Sequence, residues 1–206
     1  MSFDCTTNKY EVLYARWLQK PNELLRFALY TPQESLLDLC GGTGIVAKEA
    51  LLMGTREVTL FDLNPRTNHL RINCITGNVN NGGLRRIERQ FDLVVCRQAL
   101  GYLDLNRLAE DIPKLLNDKG RFAFNTFIKP KWGVQTYRYE GHRYLEASGY
   151  IGSHVFHLQA GPGVDVTSFR WYSADEIETA FAGTMVLDRW NRTDKTLRMV
   201  YRKKPL

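Results

Sequence analysis

The stretch Leu36-Leu-Asp-Leu-Cys-Gly-Gly-Thr-Gly44 decides the fold of this chain. Residues 35–40 form a short apolar run typical of a buried β-strand, and the glycines that follow favour a tight turn. Residues 45–53 continue with apolar side chains at helical spacing, and Gly54 stands where such a helix would end. This part of the sequence therefore predicts a strand, a glycine turn and a helix in succession.

The same alternation continues along the first two thirds of the chain. Further apolar runs predict strands at residues 58–62, 70–75, 91–96 and 121–127. A helix is predicted over residues 105–116, with Pro113 either kinking it or opening a separate last turn. The connection after residue 62 is too short for a helical crossover, which takes a dozen or more residues, so it should be irregular or a single turn. Strands that alternate with helices predict an α/β sheet with helices on both faces.

Two other segments add to this core. Residues 10–18 and 23–30 have apolar side chains at helical spacing on either side of Pro21, so residues 1–34 should form an N-terminal helical cap. In residues 134–172, aromatic and β-branched residues alternate with polar ones. That alternation predicts an antiparallel insertion, which should sit on one end of the sheet as a lid.

The end of the chain carries a helix and a hairpin. Ser173-Ala-Asp-Glu176 is a capping box that should open a helix to residue 182, and residues 185–191 and 196–202 predict two paired strands. At 206 residues, of which 44% are hydrophobic and 24% charged, the chain has the length and composition of one globular domain over residues 1–206.

Composition also narrows the environment and the kind of site. The four cysteines form no CxxC pair, so neither a zinc site nor a disulfide framework is expected. No stretch reaches the 18 or so apolar residues that span a bilayer, and the first residues contain no apolar run of the signal-peptide type. We therefore expect a cytoplasmic protein without a membrane partner.

The glycine turn also predicts the kind of ligand. Its glycines let a ligand approach the backbone, and the helix that follows presents free amide groups that suit a carboxylate or a phosphate. Asp38 stands inside the preceding strand, where it would repel an anionic pyrophosphate and favour a cationic group. A ligand with both charges fits this turn best.

These residues resemble the first motif of the class I S-adenosylmethionine-dependent methyltransferases, an acidic residue followed by a small-residue turn that ends Gly-x-Gly. The resemblance implies a Rossmann-like methyltransferase fold: a seven-stranded, mostly parallel sheet with a C-terminal antiparallel hairpin and helices on both faces. It also implies S-adenosylmethionine as cofactor, with Asp38 near the methionine ammonium and Gly42 and Gly44 beside the cofactor. Cys40 stands where the family most often has glycine.

Later positions extend the resemblance. Asp62 ends a predicted strand, where its carboxylate can accept both ribose hydroxyls, and Asn78 replaces the family's usual acid, with a carbonyl oxygen that can accept from the adenine amino group. The loop after the strand 91–96 is implied to lie beside the transferred methyl group. The full set of predicted cofactor-binding residues is Tyr14, Asp38, Cys40, Gly41, Gly42, Gly44, Asp62, Leu63, Asn78, Val79, Cys96 and Arg97.

The methyl acceptor and the need for a base stay open at this point. An amine that binds neutral needs no general base, whereas a hydroxyl or a carbon acid needs one, and His142 and Tyr102 are the candidates. We expect a small-molecule acceptor, because an insertion at 134–172 has the size of a lid that encloses such a ligand. Two alternatives are an RNA or protein methyltransferase, suggested by the net charge of +6, and a non-catalytic S-adenosylmethionine-binding module.

A different cofactor also remains to be weighed. Gly42-Thr-Gly-Ile-Val-Ala47 formally fits the Gly-x-Gly-x-x-Ala fingerprint of nicotinamide dinucleotide sites, with Asp62 as the ribose acid. Asp38, the predicted terminal hairpin and the lack of length for a second domain favour S-adenosylmethionine.

Overall fold

A computed structural model of the chain describes residues 22–67, 69–127, 135–139, 142–146, 155–160, 172–193 and 196–205. Its α-helices are α1 (Asn22–Phe27), α2 (Ile45–Leu52), α3 (Leu105–Asp111) and α4 (Ala174–Phe181). Its strands are β1 (Leu36–Leu39), β2 (Val58–Asp62), β3 (Ile72–Thr76), β4 (Phe91–Arg97), β5 (Leu116–Phe127), β6 (Gln135–Tyr139), β7 (His142–Glu146), β8 (Val155–Ala160), β9 (Met185–Arg192) and β10 (Thr196–Lys203). Short 3₁₀ helices lie at Val79–Asn81, Gly83–Arg86, Leu100–Tyr102 and Ile112–Leu115.

Seven of these strands form one mixed sheet in the order β3-β2-β1-β4-β5-β10-β9. Strands β1 to β5 run parallel to one another, whereas β10 pairs antiparallel with both β5 and β9. This arrangement confirms the predicted Rossmann-like sheet and its C-terminal antiparallel hairpin. Since β1 lies between β2 and β4, the turns that follow these three strands meet at one edge of the sheet.

Helices cover both faces of the sheet, as predicted. Leu36 in β1 packs with α1 and α2, whereas its neighbours Leu37 and Leu39 face the opposite side and belong to the cluster that includes α3 and α4. Alternate residues of a strand point to opposite faces, so a continuously apolar strand supplies both clusters at once. The seven-stranded sheet is therefore the central layer between two hydrophobic cores, one on each face.

Several element boundaries differ from those the sequence predicted. Strand β3 begins at Ile72, because that residue is the first to pair with β2, while Leu70 is fully exposed. Helix α3 ends at Asp111, and Pro113 falls in the separate 3₁₀ turn that follows, since proline has no N–H to continue an α-helix. The connection from β2 to β3 has no helix in its described residues, which confirms that it is irregular.

The predicted cap and insertion are described only in part. Helix α1 packs Leu24 and Leu25 on the sheet and is tied to β10 by an ion pair between Glu23 and Arg198 at 2.5 Å. The other predicted helix, over residues 10–18, lies outside the described residues. Strands β6, β7 and β8, within the predicted insertion, form a separate three-stranded antiparallel sheet. None of the helices in the described ranges is long and apolar enough to cross a membrane.

Candidate functional site

The glycine turn at the carboxyl end of β1 is closed by backbone hydrogen bonds. The Cys40 N–H donates to the carbonyl of Phe61 in β2 at 2.7 Å, and the Gly44 N–H donates to the carbonyl of Gly41 at 2.8 Å. Gly44 adopts a φ of 71°, which L-residues rarely adopt, and it begins α2 by accepting from the N–H of Lys48 at 2.8 Å. The turn therefore holds the first amides of α2 toward the sheet edge.

Asp38 lies directly beneath this turn and is fully buried. Its Oδ2 accepts from the backbone N–H of Ala47 at 3.0 Å, whereas Oδ1 has no hydrogen-bond partner among the described residues. A Cβ at Gly41 would stand 2.5 Å from the Asp38 Cγ, so only glycine fits over the carboxylate. An unpartnered carboxylate oxygen in a buried place costs free energy, which a cationic group would offset.

The electrostatics of Asp38 point the same way. Burial is the main reason that the pKa of Asp38 is raised to about 7. The hydrogen bond from the Ala47 N–H and the positive charge of Arg97 lower this pKa, and the negative charge of Asp62 raises it. Arg97 is half-buried at the end of β4, the strand beside β1. The site therefore holds a carboxylate that is only partly compensated by its surroundings.

Asp62 joins the end of β2 to the glycine turn. Its Oδ2 accepts from the N–H of Gly42 at 2.9 Å, and its Oδ1 accepts from the N–H of Asn64 at 2.8 Å. The carbonyl of Gly42 in turn accepts from the N–H of Arg66 at 2.8 Å. A carboxylate has about four lone-pair positions, so each Asp62 oxygen keeps one for a hydroxyl group.

The residues after Asp62 and after β3 line the neighbouring part of the edge. Leu63 leaves 46% of its surface exposed next to Asp62, whereas Val79 is 4% exposed and packs into the core. Asn78 begins the 3₁₀ helix Val79–Asn81, with its Oδ1 accepting from the N–H of Asn80 at 2.9 Å. Asn78 thus keeps one carbonyl lone pair and its amide N–H groups for a ligand, and Val79 can contribute through its backbone.

Cys40 has a backbone conformation that explains why glycine suits its position. Its φ of 56° lies in the left-handed region, where a side chain costs about 1–2 kcal/mol. The Cys40 thiol lies close to that of Cys96 in β4, and this proximity together with burial raises the pKa of Cys40 well above its ordinary value. The Cys40 thiol is therefore a protonated packing group between the turn and β4.

The loop after β4 is held by the neighbouring strand. Gln98 has a φ of 57°, and its N–H donates to both the backbone carbonyl and the side-chain oxygen of Asn125 in β5, at 2.9 and 3.1 Å. Tyr102 lies half-buried in the 3₁₀ helix Leu100–Tyr102. Of the residues predicted for this part of the site, the structure places Cys96 and Arg97 at the end of β4 and Tyr102 in the loop that follows.

Two of the predicted site residues are not brought into the described site. Tyr14 lies outside the described residues. His142 begins β7, where the structure describes the backbone strand but not the side chain. Their roles therefore stay predictions from the sequence.

Sequence reasoning overlooked Asn80, which connects two of the loops at this edge. Its Nδ2 donates to the carbonyl of Tyr102 at 2.9 Å, and its Oδ1 accepts from the N–H of Asp104 at 2.8 Å. In the sequence Asn80 stands in an ordinary turn-forming run of asparagines and glycines, so nothing local distinguishes it from Asn81.

Comparisons with known proteins agree with this architecture. The sequence profile of the methyltransferase domain family matches residues 13–184. Ribosomal protein L11 methyltransferase of Staphylococcus aureus is 28% identical, over 52% of this chain and 36% of its own length. The chain thus spans about a third of the length of that curated relative.

Solved structures of similar fold include other methyltransferases. An S-adenosylmethionine-dependent methyltransferase of Clostridium acetobutylicum aligns with a TM-score of 0.65 and 15% identity, over 96% of this chain and 99% of its own. The 1,6-didemethyltoxoflavin-N1-methyltransferase of Burkholderia thailandensis, solved with that compound and S-adenosylhomocysteine, aligns with a TM-score of 0.60 and 17% identity, over 91% and 78% of the two chains. At these identities the likeness concerns the fold.

The described residues fit S-adenosylmethionine. The unpartnered Oδ1 of Asp38 is placed for an ammonium group, Gly41 leaves room above it, and Asp62 keeps lone pairs for ribose hydroxyls. Asn78 offers an amide group at the next strand end, where an adenine ring would follow the ribose. A dinucleotide would bring a pyrophosphate close to the buried carboxylate of Asp38, which it would repel.

Proposed function

This chain belongs to the S-adenosylmethionine-dependent methyltransferase family, and we propose that it transfers the methyl group to a small-molecule acceptor with a nitrogen or oxygen nucleophile. The cofactor supplies an activated methyl group on a sulfonium. The protein has to hold the cofactor, align the acceptor with the methyl group and exclude water. Such alignment can lower the activation barrier of methyl transfer by about 7–11 kcal/mol.

The proposed cofactor placement assigns one task to each strand end. Asp38 binds the ammonium group, Asp62 accepts the ribose hydroxyls, and Asn78 recognises the adenine amino group. Leu63 lies beside Asp62 with half of its surface exposed and offers an apolar contact to the adenine ring. The turn at Gly41 lets the backbone pass close to the methionine part.

The observation that carries the small-molecule proposal is the position of the two ends of the insertion. The chain leaves the sheet at Phe127, the last residue of the sheet strand beside β4, and it returns at Tyr172. Both residues are buried, and the Tyr172 hydroxyl donates to the carbonyl of Leu103, next to Tyr102, at 2.8 Å. Both ends of the insertion thus belong to the same hydrophobic cluster as Leu100 and Leu103 of the loop where the methyl group is expected, which suits a cover over an enclosed acceptor.

A general base is needed only for some acceptors. For a hydroxyl, Tyr102 and His142 are the proposed bases, Tyr102 from the loop after β4 and His142 from the insertion. An amine that binds in its neutral form needs neither. Loss of activity on removing either side chain would therefore also report the chemical class of the acceptor.

Two of the basic residues behind the net charge of +6, Arg85 and Arg89, are paired with acidic side chains. Arg85 pairs with the buried Asp111 at 3.3 Å, and Arg89 pairs with Glu57 at 2.6 Å. Arg89 and Glu57 precede the first residues of β4 and β2, so this pair lies at the amino edge of the sheet, opposite the glycine turn. This arrangement supports a small acceptor over a nucleic acid held on a basic surface.

The test is a labelling experiment on a cell extract. Purified protein and S-adenosylmethionine with a radioactive methyl group are incubated with extract, which is then separated into macromolecules and molecules below about 1 kDa. At a cofactor concentration near the dissociation constant of the wild-type protein, we expect the label in the small-molecule fraction with the wild type and at least about tenfold less of it with Asp62→Ala. The exposed Asp118→Ala serves as the matched control that should retain transfer.

Each other outcome contradicts the proposal in a distinct way. Enzyme-dependent label in RNA or protein would replace the small-molecule acceptor with a macromolecular one. Binding of S-adenosylhomocysteine without transfer to any fraction of extracts from several growth conditions would favour the non-catalytic binding module.

A further inference from the structure

Two loops of the site are connected by a single side chain. We call residues 77–81, after β3, the adenine loop, and residues 98–104, after β4, the acceptor loop. We propose that Asn80 is a positioning residue for methyl transfer, which makes the geometry of the acceptor loop depend on that of the adenine loop. The inference rests on the proposed placement of the cofactor, and not on the chemical class of the acceptor.

Every polar group of Asn80 is used at this junction. Its side-chain Nδ2 donates to the Tyr102 carbonyl at 2.9 Å, and its Oδ1 accepts from the Asp104 N–H at 2.8 Å. Its own N–H donates to the Oδ1 of Asn78 at 2.9 Å, and its carbonyl accepts from the Arg107 guanidinium at 2.5 Å. Asn80 is nevertheless exposed to solvent. Its polar groups could bind water instead, so burial alone does not account for these hydrogen bonds.

The acceptor loop is held from a second side. The Tyr172 hydroxyl donates to the Leu103 carbonyl, so the backbones of three consecutive residues, Tyr102 to Asp104, are each fixed by a side chain from elsewhere. Tyr172 lies where the insertion returns to the sheet. Asn80 therefore connects the cofactor side of the site to a segment that also anchors the insertion.

The amide group is the chemical feature that this role requires. A carbonyl and an N–H must be bound by one short side chain, and an amide is both donor and acceptor, whereas a carboxylate only accepts. Asn78, the proposed adenine residue, binds the N–H of Asn80 directly. A cofactor that orders Asn78 would thereby order Asn80, Tyr102 and Asp104 in sequence.

The experiment is amide hydrogen exchange of the intact chain, with and without S-adenosylhomocysteine as the probe. In the wild-type protein we expect the probe to slow exchange in the glycine turn, the adenine loop and the acceptor loop. In Asn80→Ala we expect slowing in the first two only, with the Asp104 amide exchanging about fivefold faster without the probe. The dissociation constant of the probe should change by less than about threefold, because the N–H of residue 80 still donates to Asn78.

Two further variants separate positioning from general damage. Asn80→Asp keeps the acceptor for the Asp104 N–H but loses the donor to Tyr102, so it should give intermediate protection of the acceptor loop. Asn81→Ala removes the exposed neighbouring asparagine and should behave as the wild type. A general loss of stability would not rank the protection of the acceptor loop as equal in the wild type and Asn81→Ala, intermediate in Asn80→Asp and lowest in Asn80→Ala.

The outcomes are distinguishable from a failure of the cofactor placement. If the wild-type protein binds S-adenosylhomocysteine and the acceptor loop is protected equally in Asn80→Ala, the inference is wrong and the cofactor site stands. If Asn80→Ala loses binding of the probe altogether, Asn80 belongs to the cofactor site itself and the positioning role is wrong. If the wild-type protein does not bind the probe, the cofactor placement fails and the inference with it.

Discussion

The backbone N–H of Gly42 donates to the carboxylate of Asp62 at 2.9 Å, so one hydrogen bond joins the turn after β1 to the end of β2. The same carboxylate accepts from the N–H of Asn64 at 2.8 Å. Both oxygens of Asp62 are thus fixed by donors before any ligand arrives. An acid fixed in this way pays little further entropy when it accepts a ribose, which is the basis of preorganised binding.

Asp62→Ala should therefore weaken cofactor binding strongly. Hydrogen bonds to charged groups contribute about 1.5–3 kcal/mol, so we expect S-adenosylhomocysteine to bind about 10- to 100-fold more weakly, as measured by isothermal titration calorimetry. Asp118→Ala changes an exposed aspartate near the start of β5 and should leave the affinity unchanged. Equal affinity of wild type and Asp62→Ala would remove Asp62 from the site.

Much of the fold could be predicted because the sequence repeats one local pattern. Apolar runs mark β1, β2 and β4, since strands buried on both faces need apolar residues on both faces and not only at alternate positions. The capping box at Ser173 was predictable in the same way, and the structure contains both of its hydrogen bonds to Glu176. Such features depend only on residues close in sequence.

What the sequence could not predict depends on contacts between distant residues. Strand β5 begins at Leu116, before the apolar run at residue 121, because Leu116 pairs with Phe91 of β4. Asn80 and Tyr102 are 22 residues apart, and no local pattern indicates that their loops meet. The candidate site was therefore predictable at its strand ends and not in the hydrogen bonds that connect its loops.

The buried Asp38 predicts a pH dependence of cofactor binding. The pKa of Asp38 in the folded protein is about 7, above its value in the unfolded chain. Below pH 7 the Asp38 carboxyl group of the ligand-free protein is therefore mostly protonated, and it must release that proton when an ammonium group binds. We expect the affinity for S-adenosylhomocysteine to fall up to tenfold per pH unit as the pH drops from 7 to 5, with about one proton released at pH 6 and almost none at pH 8. Calorimetry in buffers of different ionisation enthalpy measures both quantities.

The same shift affects the stability of the ligand-free protein. A carboxyl group with a raised folded pKa contributes stability that is fully present below its unfolded pKa near 4 and is lost as the pH rises through about 7. Asp38→Asn should remove this slope from the pH profile of the unfolding free energy. The prediction is wrong if the two proteins have parallel profiles between pH 4 and 8.

The left-handed backbone of Cys40 predicts an unusual order of two substitutions. Alanine would keep the unfavourable φ of 56° and lose the thiol contact with Cys96, whereas glycine loses the contact but relieves the backbone. We expect Cys40→Gly to be more stable than Cys40→Ala by about 1 kcal/mol in urea denaturation. At the exposed Cys74 in β3 the order should reverse, because glycine weakens a regular strand. The same order at both positions would contradict this account.

Tyr172→Phe should destabilise the protein by removing one hydroxyl group from a buried place. The hydroxyl donates to the Leu103 carbonyl at 2.8 Å, and leaving that carbonyl without a partner costs about 1–3 kcal/mol. Tyr201→Phe is the matched control: Tyr201 is also buried, but its hydroxyl donates to the sulfur of Met199, at 3.8 Å. That change should cost about 0.5 kcal/mol or less, because sulfur is a weak acceptor. Urea denaturation of both variants measures the difference, and equal costs would mean that the Tyr172 hydroxyl does not anchor the loop after β4.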